Sequence, residues 1–284
     1  MRRAFARAAS TYEANAVLQD EVGVRLREHL QGWDSVPQAV LDLGSGTGKG
    51  SAALRKLYPQ AQVIALDVAL PMLQAAKRHG SWLRPLTRVC GDAEALPLAA
   101  ASVDLIHSNL CVQWCGDLNT VFSEFRRVLR PRGRVLFSTF GPDTLHELRE
   151  AFAQVDGSSR VSGFVDMHQI GDAMLTGGFR DPVMERDDFT LTYADAMSLV
   201  RDLRAIGATH AGTARSRSLT GKTRFAAALR AYETFRRDGM LPATYEVIYA
   251  DARAPDIGQP QRDGGVEIAS FSLDQLRGSR RRQR

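Results

Sequence analysis

An aspartate and a string of alternate glycines stand together at Asp42-Leu43-Gly44-Ser45-Gly46-Thr47-Gly48, directly after the apolar run Ala39 to Leu43. Glycines in such a turn let backbone N–H groups approach a ligand closely, and a strand-to-helix turn is where open α/β sheets bind nucleotides. Two fingerprints for that chemistry fail on spacing. The dinucleotide pattern G-x-G-x-x-G needs Gly or Ala at position 49 or 51 and meets Lys49 and Ser51. The phosphate P-loop needs Gly-Lys-Ser/Thr, but Gly48-Lys49 is followed by Gly50, and Leu43 stands where that pattern begins. What remains is D-x-G-x-G-x-G, for which a plain tight turn is the competing reading.

Spacing downstream decides between them. Asp67 ends a second apolar run about twenty residues beyond the loop, where a carboxylate can accept both ribose hydroxyl protons and would repel a phosphorylated ribose. The loop resembles the first motif of the class I S-adenosylmethionine methyltransferases, whose donor has no pyrophosphate, so the turn cradles an amino-acid end instead. That resemblance implies that Met72, in Pro71-Met72-Leu73, packs on the adenine face, helix core being the alternative. It also implies that in Gly91-Asp92-Ala93-Glu94 the Asp92 carboxylate receives the adenine amino group and the Ala93 N–H meets the ring. Ser108-Asn109-Leu110 marks a fourth strand end at the same crevice. The expected cofactor set is Asp42, Gly44, Gly46, Gly48, Asp67, Met72, Asp92, Ala93 and Asn109.

These residues must be held by a parallel sheet. Short apolar runs at 39–43, 63–67, 87–90, 103–107 and 134–138 alternate with helical patterns, which predicts α/β strands buried on both faces. The clearest helix runs from Leu118 to Leu129, with Val121, Phe122, Phe125 and Val128 on one stripe and Pro131 and Gly133 behind it as stops. Residues 1 to 32 read as amphipathic helix, 189–193 and 244–249 as sixth and seventh strands, and 194 to 240 as helical. The expected architecture is a doubly wound, seven-stranded, mostly parallel sheet with a helical lid and an inserted helical lobe. Its divisions are a lid at 1–36, the donor-binding core at 37–193, a lobe at 194–242, the last core strand at 243–256 and a tail at 257–284. That tail reads as loose up to Val266, apolar from there to Phe271, and disordered in its arginines.

A more specific likeness concerns the methyl acceptor. Phe5-Ala6-Arg7-Ala8-Ala9 with Tyr12, Ala16 and Gln19, then Ser108 to Leu118 around Gln113-Trp114, then Ile206-Gly207-Ala208-Thr209-His210, Leu219-Thr220 and Leu241 to Glu246 all resemble segments of one family. It is the malonyl-acyl-carrier-protein O-methyltransferases that open biotin biosynthesis. The likeness runs from about residue 4 to residue 255, with Cys111 where Ala is expected. It implies methylation of the free carboxylate of a malonyl thioester, with Tyr12, Gln113, Trp114, Arg204 and His210 positioning the substrate. No general base is implied, because that carboxylate is already ionised at neutral pH. An arginine is expected against the malonyl anion, since its planar fork can grip a carboxylate. Arg204 is the first candidate and Arg7 the second, with the cofactor's carboxylate or solvent as alternatives for both. On composition alone, Trp114 and Tyr12 read equally as core aromatics and His210 as a surface histidine.

Charge adds a partner. The net +5 is matched by five arginines in the tail, Arg277, Arg280, Arg281, Arg282 and Arg284. Residues 201 to 237 carry nine Lys or Arg against Asp202 and Glu233, so the basic face is local and suits an acidic carrier protein bearing malonyl-phosphopantetheine, or malonyl-coenzyme A. A solvated helix face is the plain alternative. Cys90, Cys111 and Cys115 form an odd set without C-x-x-C spacing, which indicates neither a disulfide framework nor a zinc site and suits reducing cytoplasm. No stretch reaches the ~18 apolar residues of a membrane span, and the Arg-rich opening reads as a lid rather than a transit peptide. The rival functions are methylation of a quinone or phenol, which would need a base, and nucleic-acid methylation. The latter is disfavoured because Ser108-Asn109-Leu110-Cys111 replaces the Asn/Asp-Pro-Pro-Tyr type of base-handling motif.

Overall fold

The computed structural model describes residues 1–33, 35–156, 163–208, 222–256, 261–263 and 266–268. Strands β1 (Ala39–Leu43), β2 (Gln62–Asp67), β3 (Thr87–Cys90), β4 (Val103–Asn109), β5 (Leu129–Phe140), β6 (Arg180–Tyr193) and β7 (Leu241–Arg253) form one seven-stranded sheet in the order β3-β2-β1-β4-β5-β7-β6. Neighbours pair in parallel except where β7 lies between β5 and β6 and runs against both. Strand order therefore reverses between β1 and β4, and the crevice beyond their carboxyl ends is the place such sheets bind ligands.

Helices α1 (Arg2–Ala8), α2 (Tyr12–Asn15) and α3 (Val17–Glu28) precede the sheet, and α4 (Lys49–Leu57), α5 (Leu70–Ala76), α6 (Leu118–Val128), α7 (His146–Asp156) and α8 (Met167–Thr176) cover it. Between β6 and β7 come α9 (Ala196–Ala205) and α10 (Lys222–Tyr232). The sheet divides the core in two. Val40, Leu105 and Leu136 pack with Leu18, Val22 and Leu26 of α3 on one face, while Leu41, Ile106 and Phe137 pack with Phe122 and Phe125 of α6 on the other. Among the described residues no helix is long and apolar enough to cross a membrane.

Several expectations need correction. The single helix over 1–32 is three: the Thr11 hydroxyl donates to the carbonyls of Ala8 (3.2 Å) and Ala205 (2.9 Å), competing with helical continuation, and the chain turns again at Ala16. Strand β3 is the sheet's edge and largely exposed rather than buried on both faces. Strand β6 starts nine residues earlier than the predicted Phe189. An edge strand needs only one apolar face, and here the alternation is masked by charge, since Glu185, Arg186, Asp187 and Asp188 all lie within it. Pro182 sits at a register shift between Arg180 and Val183, where an edge strand tolerates it. The stretch 194–240 is not continuous helix: α9 ends at Ala205, and 233–235 is a 3₁₀ turn. Beyond Pro255 the chain is not wholly loose, since β8 (Gln261–Asp263) and β9 (Val266–Ile268) pair as a hairpin. The arginine tail lies outside the described residues, as do Leu219 and Thr220.

Two ties fix the frame of the crevice. Asp104 accepts the backbone N–H groups of Gln38 (2.8 Å) and Ala39 (2.9 Å) and pairs with Arg130, joining the starts of β1, β4 and β5. Arg134 of β5 pairs with Asp251 of β7 and donates to the His29 carbonyl (2.9 Å), which anchors the end of α3 to the sheet.

Candidate functional site

Between β1 and α4 the glycine loop takes a shape closed to other residues. Gly44 and Gly46 have φ of +67° and +52°, in the left-handed region that disfavours side chains. A Cβ at Gly44 would stand 2.5 Å from Cβ and Sγ of Cys111, so the first turn touches the chain beyond β4. At Gly48 (φ +86°) packing also excludes a side chain: a Cβ there would meet Ala76 of α5 at 2.7 Å.

Asp67 is the loop's support. Its Oδ2 accepts the Gly46 N–H (2.9 Å) and its Oδ1 the Ala69 N–H (2.7 Å), so one buried carboxylate holds the glycine turn and the start of α5. Burial raises its pKa above the ordinary carboxylate value, and those two hydrogen bonds only partly offset the effect. Asp42, also buried, accepts from Ser51 Oγ (2.5 Å) and lies 2.9 Å from His107 Nδ1. His107 and Ser51 are not among the expected residues. A histidine interrupting the apolar run Val103-Asp104-Leu105-Ile106 is the available signal, because a buried polar side chain requires a partner.

Above these residues lies a cavity of about 400 Å³ between the loop and the N-terminal helices, lined by Tyr12, Arg27, Asp42, Gly44, His107 and Asn109 among others. The Tyr12 ring lies over the loop, its Cε1 3.9 Å from where a Gly46 Cβ would stand. Asn109 is committed to the protein. Its Nδ2 donates to the Gln19 carbonyl (2.8 Å) and its Oδ1 accepts from Ser138 (2.8 Å), which makes it a latch between α3 and the sheet. Ion pairs of Lys49 with Asp20 and of Arg78 with Glu13 close the same cover at its rim.

The remaining expected residues lie around this centre. Met72 is 1% exposed and belongs to the core of α5. Asp92 is exposed and accepts the Glu94 N–H (3.1 Å) within its own turn, while Ala93 is buried. Glu94 Oε1 in turn accepts the Gly116 N–H (2.5 Å), joining the end of β3 to the turn after Trp114. Gln113 donates to the Leu110 carbonyl (2.8 Å) and accepts from Thr139 (3.3 Å). Trp114 meets Phe5 of α1 edge to face, ring centres 5.1 Å apart. Phe5 also abuts Gly207, whose Cβ would stand 3.1 Å from Phe5 Cδ1. Arg204 is exposed on the last turn of α9 and Arg7 is exposed on α1. His210 lies outside the described residues.

The cysteines are unpaired. Burial, reinforced by Glu94 and Asp92, pushes the Cys115 thiol up to about 12, and burial beside Cys115 and Asp67 pushes Cys111 well above its ordinary value. Neither is a nucleophile at neutral pH.

A tight glycine turn, a buried carboxylate at the second strand end and a cavity lined by polar side chains fit a donor made of a nucleoside joined to an amino acid. Comparison with known proteins agrees. Residues 41–137 match the family model described as a methyltransferase domain. The chain is 53% identical, over 97% of its length and 94% of the relative's, to malonyl-acyl-carrier-protein O-methyltransferase of Xylella fastidiosa. It is 50% identical, over 96% of both chains, to the protein of the same name from Gallionella capsiferriformans. Among solved structures, phosphoethanolamine N-methyltransferase 2 of Haemonchus contortus, in complex with S-adenosyl-L-methionine, superposes with a TM-score of 0.54 at 18% identity, covering 87% of this chain and 57% of that one. At that identity the likeness is one of fold.

Proposed function

Because the chain belongs to the malonyl-acyl-carrier-protein O-methyltransferase family, we propose that it moves the methyl group of S-adenosylmethionine to the free carboxylate of a malonyl thioester, giving the methyl ester that starts pimeloyl synthesis for biotin. The observation that carries this reading is the meeting of Phe5, Trp114 and Gly207. Three segments distant in sequence, each resembling the family, close on one another. Thr11 adds a second link from the lid to the Ala205 carbonyl at the end of α9.

The bound donor supplies a sulfonium-activated methyl group. The protein's part is binding, alignment and removal of water, and alignment alone contributes several kcal/mol in such reactions. Asp67 would hold the ribose and the Gly44–Gly46 turn the amino-acid end. Segment 1–36 acts as a lid, with Tyr12, Gln113 and Trp114 bounding the acceptor space against it. The malonyl anion arrives ionised, so the site needs a cationic partner for it rather than a base. Arg204 at the lid contact is assigned that role, with His210 beside it in sequence. The 194–242 lobe, exposing Arg204, Arg224, Arg230 and Arg237, is the landing surface for an acidic carrier protein.

The test is the pH dependence of turnover on a malonyl thioester. A carboxylate acceptor predicts a flat profile from about pH 6 to 9 and no product from an acetyl thioester. A rise governed by a group titrating in that range, or equal use of acetyl and malonyl thioesters, would overturn the assignment.

A further inference from the structure

Two side chains that line the cavity keep polar atoms to which no described residue offers a partner: His107 through Nε2 and Arg27 through its guanidinium. His107 is fully buried, lines the cavity, and has Nδ1 2.9 Å from Asp42 Oδ1, while its Nε2 has no hydrogen-bond partner among the described residues. A carboxylate only accepts, so in the neutral imidazole the ring hydrogen sits on Nδ1 and Nε2 presents a lone pair. A buried acceptor left in that state is costly, and the cavity is the direction from which a donor can come.

Arg27 of α3 lines the same cavity and is half-buried, and its guanidinium makes no hydrogen bond or ion pair with a described residue. Its neighbouring acids are otherwise engaged: Asp42 holds Ser51 and His107, and Asp20 holds Lys49. A guanidinium in that state, on a wall facing a glycine turn, is a fork presented to a carboxylate.

We infer that Arg27 and His107 form the pocket for the zwitterionic end of the methyl donor, Arg27 gripping its carboxylate and His107 Nε2 accepting an N–H of its ammonium. Asp42 behind the imidazole favours positive charge on the Nε2 side, and Arg27 favours negative charge on its own. The pair thus complements an α-amino acid. A polyphosphate would meet Asp42, Asp20 and Glu13 on the same walls. This assignment rests on the donor named in the proposed function and deepens it.

The experiment is calorimetry with two thioethers that share an adenosine but differ in the amino-acid end: S-adenosylhomocysteine, which has it, and 5′-methylthioadenosine, which lacks it. Arg27→Met and His107→Asn are each expected to weaken S-adenosylhomocysteine about tenfold or more, the scale of one lost charge-assisted hydrogen bond, and to leave 5′-methylthioadenosine within about twofold. His107→Gln, whose amide reaches the Nε2 position, should recover part of the loss. Unchanged affinity for S-adenosylhomocysteine in both variants overturns the inference. So does equal weakening of both thioethers, which would make these residues supports of the fold, or a raised KM for the malonyl thioester with thioether binding intact, which would give Arg27 to the acceptor. If the unmodified protein binds neither thioether, the donor assignment itself fails.

Discussion

Replacing Asp67 with asparagine separates its observed hold on the glycine turn from its proposed hold on the donor's ribose. Its two oxygens each accept a backbone N–H, from Gly46 at 2.9 Å and from Ala69 at 2.7 Å. An amide of the same shape keeps one acceptor and turns an NH₂ group toward the other donor. One N–H then loses its acceptor in the free protein, at a cost of about 1–3 kcal/mol, which lowers Tm by a few degrees in a chain of this size. The second effect appears only with ligand. The ribose loses a charged acceptor worth about 1.5–3 kcal/mol, so the Kd for S-adenosylhomocysteine should rise about tenfold to a hundredfold. The pH dependence follows from the raised pKa of Asp67, which burial causes. If Asp67 holds the ribose as an ionised carboxylate, affinity falls as pH drops through that raised value, earlier than for an ordinary aspartate. Asp67→Asn should lack this acid limb. Thermal melting and calorimetry across pH measure both effects. A variant whose Tm falls while Kd stays within about threefold of normal would show that Asp67 shapes the turn without touching ribose.

Other outcomes follow from the same contacts. Asn109→Ala should free α3 from the sheet by removing both amide contacts, seen as faster amide hydrogen exchange over residues 12–28 with the central strands unchanged; unaltered exchange there would reject the latch. Native protein treated with iodoacetamide near pH 8 should be alkylated at exposed Cys90 alone, because a thiol raised to about 12 holds roughly a thousandfold less thiolate than an ordinary cysteine, and Cys111 is raised as well. Comparable labelling of all three by peptide mass analysis would contradict that environment. If the basic lobe is the landing surface, KM for the malonyl carrier protein should climb steeply between low and physiological salt while KM for a small malonyl thioester moves little. Parallel behaviour of the two substrates would place docking elsewhere.

Much of this is legible in the residues because the relevant signals are local. The loop Asp42 to Gly48 and the carboxylate of Asp67 follow strands whose apolar runs are plain, and their ligand chemistry depends on spacing alone. What escapes depends on contacts between distant segments. Asp42 and His107 meet because β1 and β4 are parallel neighbours in register, which no local pattern encodes. Asn109 lines the cavity, but that its amide also ties Gln19 to Ser138 is not written locally, since a polar side chain at a covered strand end finds its partners in the cover. The breaks at Thr11 and Ala16 are hidden because apolar spacing continues through them. Strand β6 is hidden because its exposed face is rich in charge.

One methyl group is expected to pass to the malonyl carboxylate and to nothing else. Intact-mass measurement of malonyl-loaded acyl carrier protein, after incubation with S-adenosylmethionine and the purified chain, tests it directly. The expected product is heavier by a single methylene, with the gain confined to the malonyl-phosphopantetheine arm, removed with the acyl group when the thioester is cleaved, and absent when succinyl or acetyl replaces malonyl. An unchanged mass under conditions where the donor is bound, or a methyl group found on the carrier polypeptide, would contradict it.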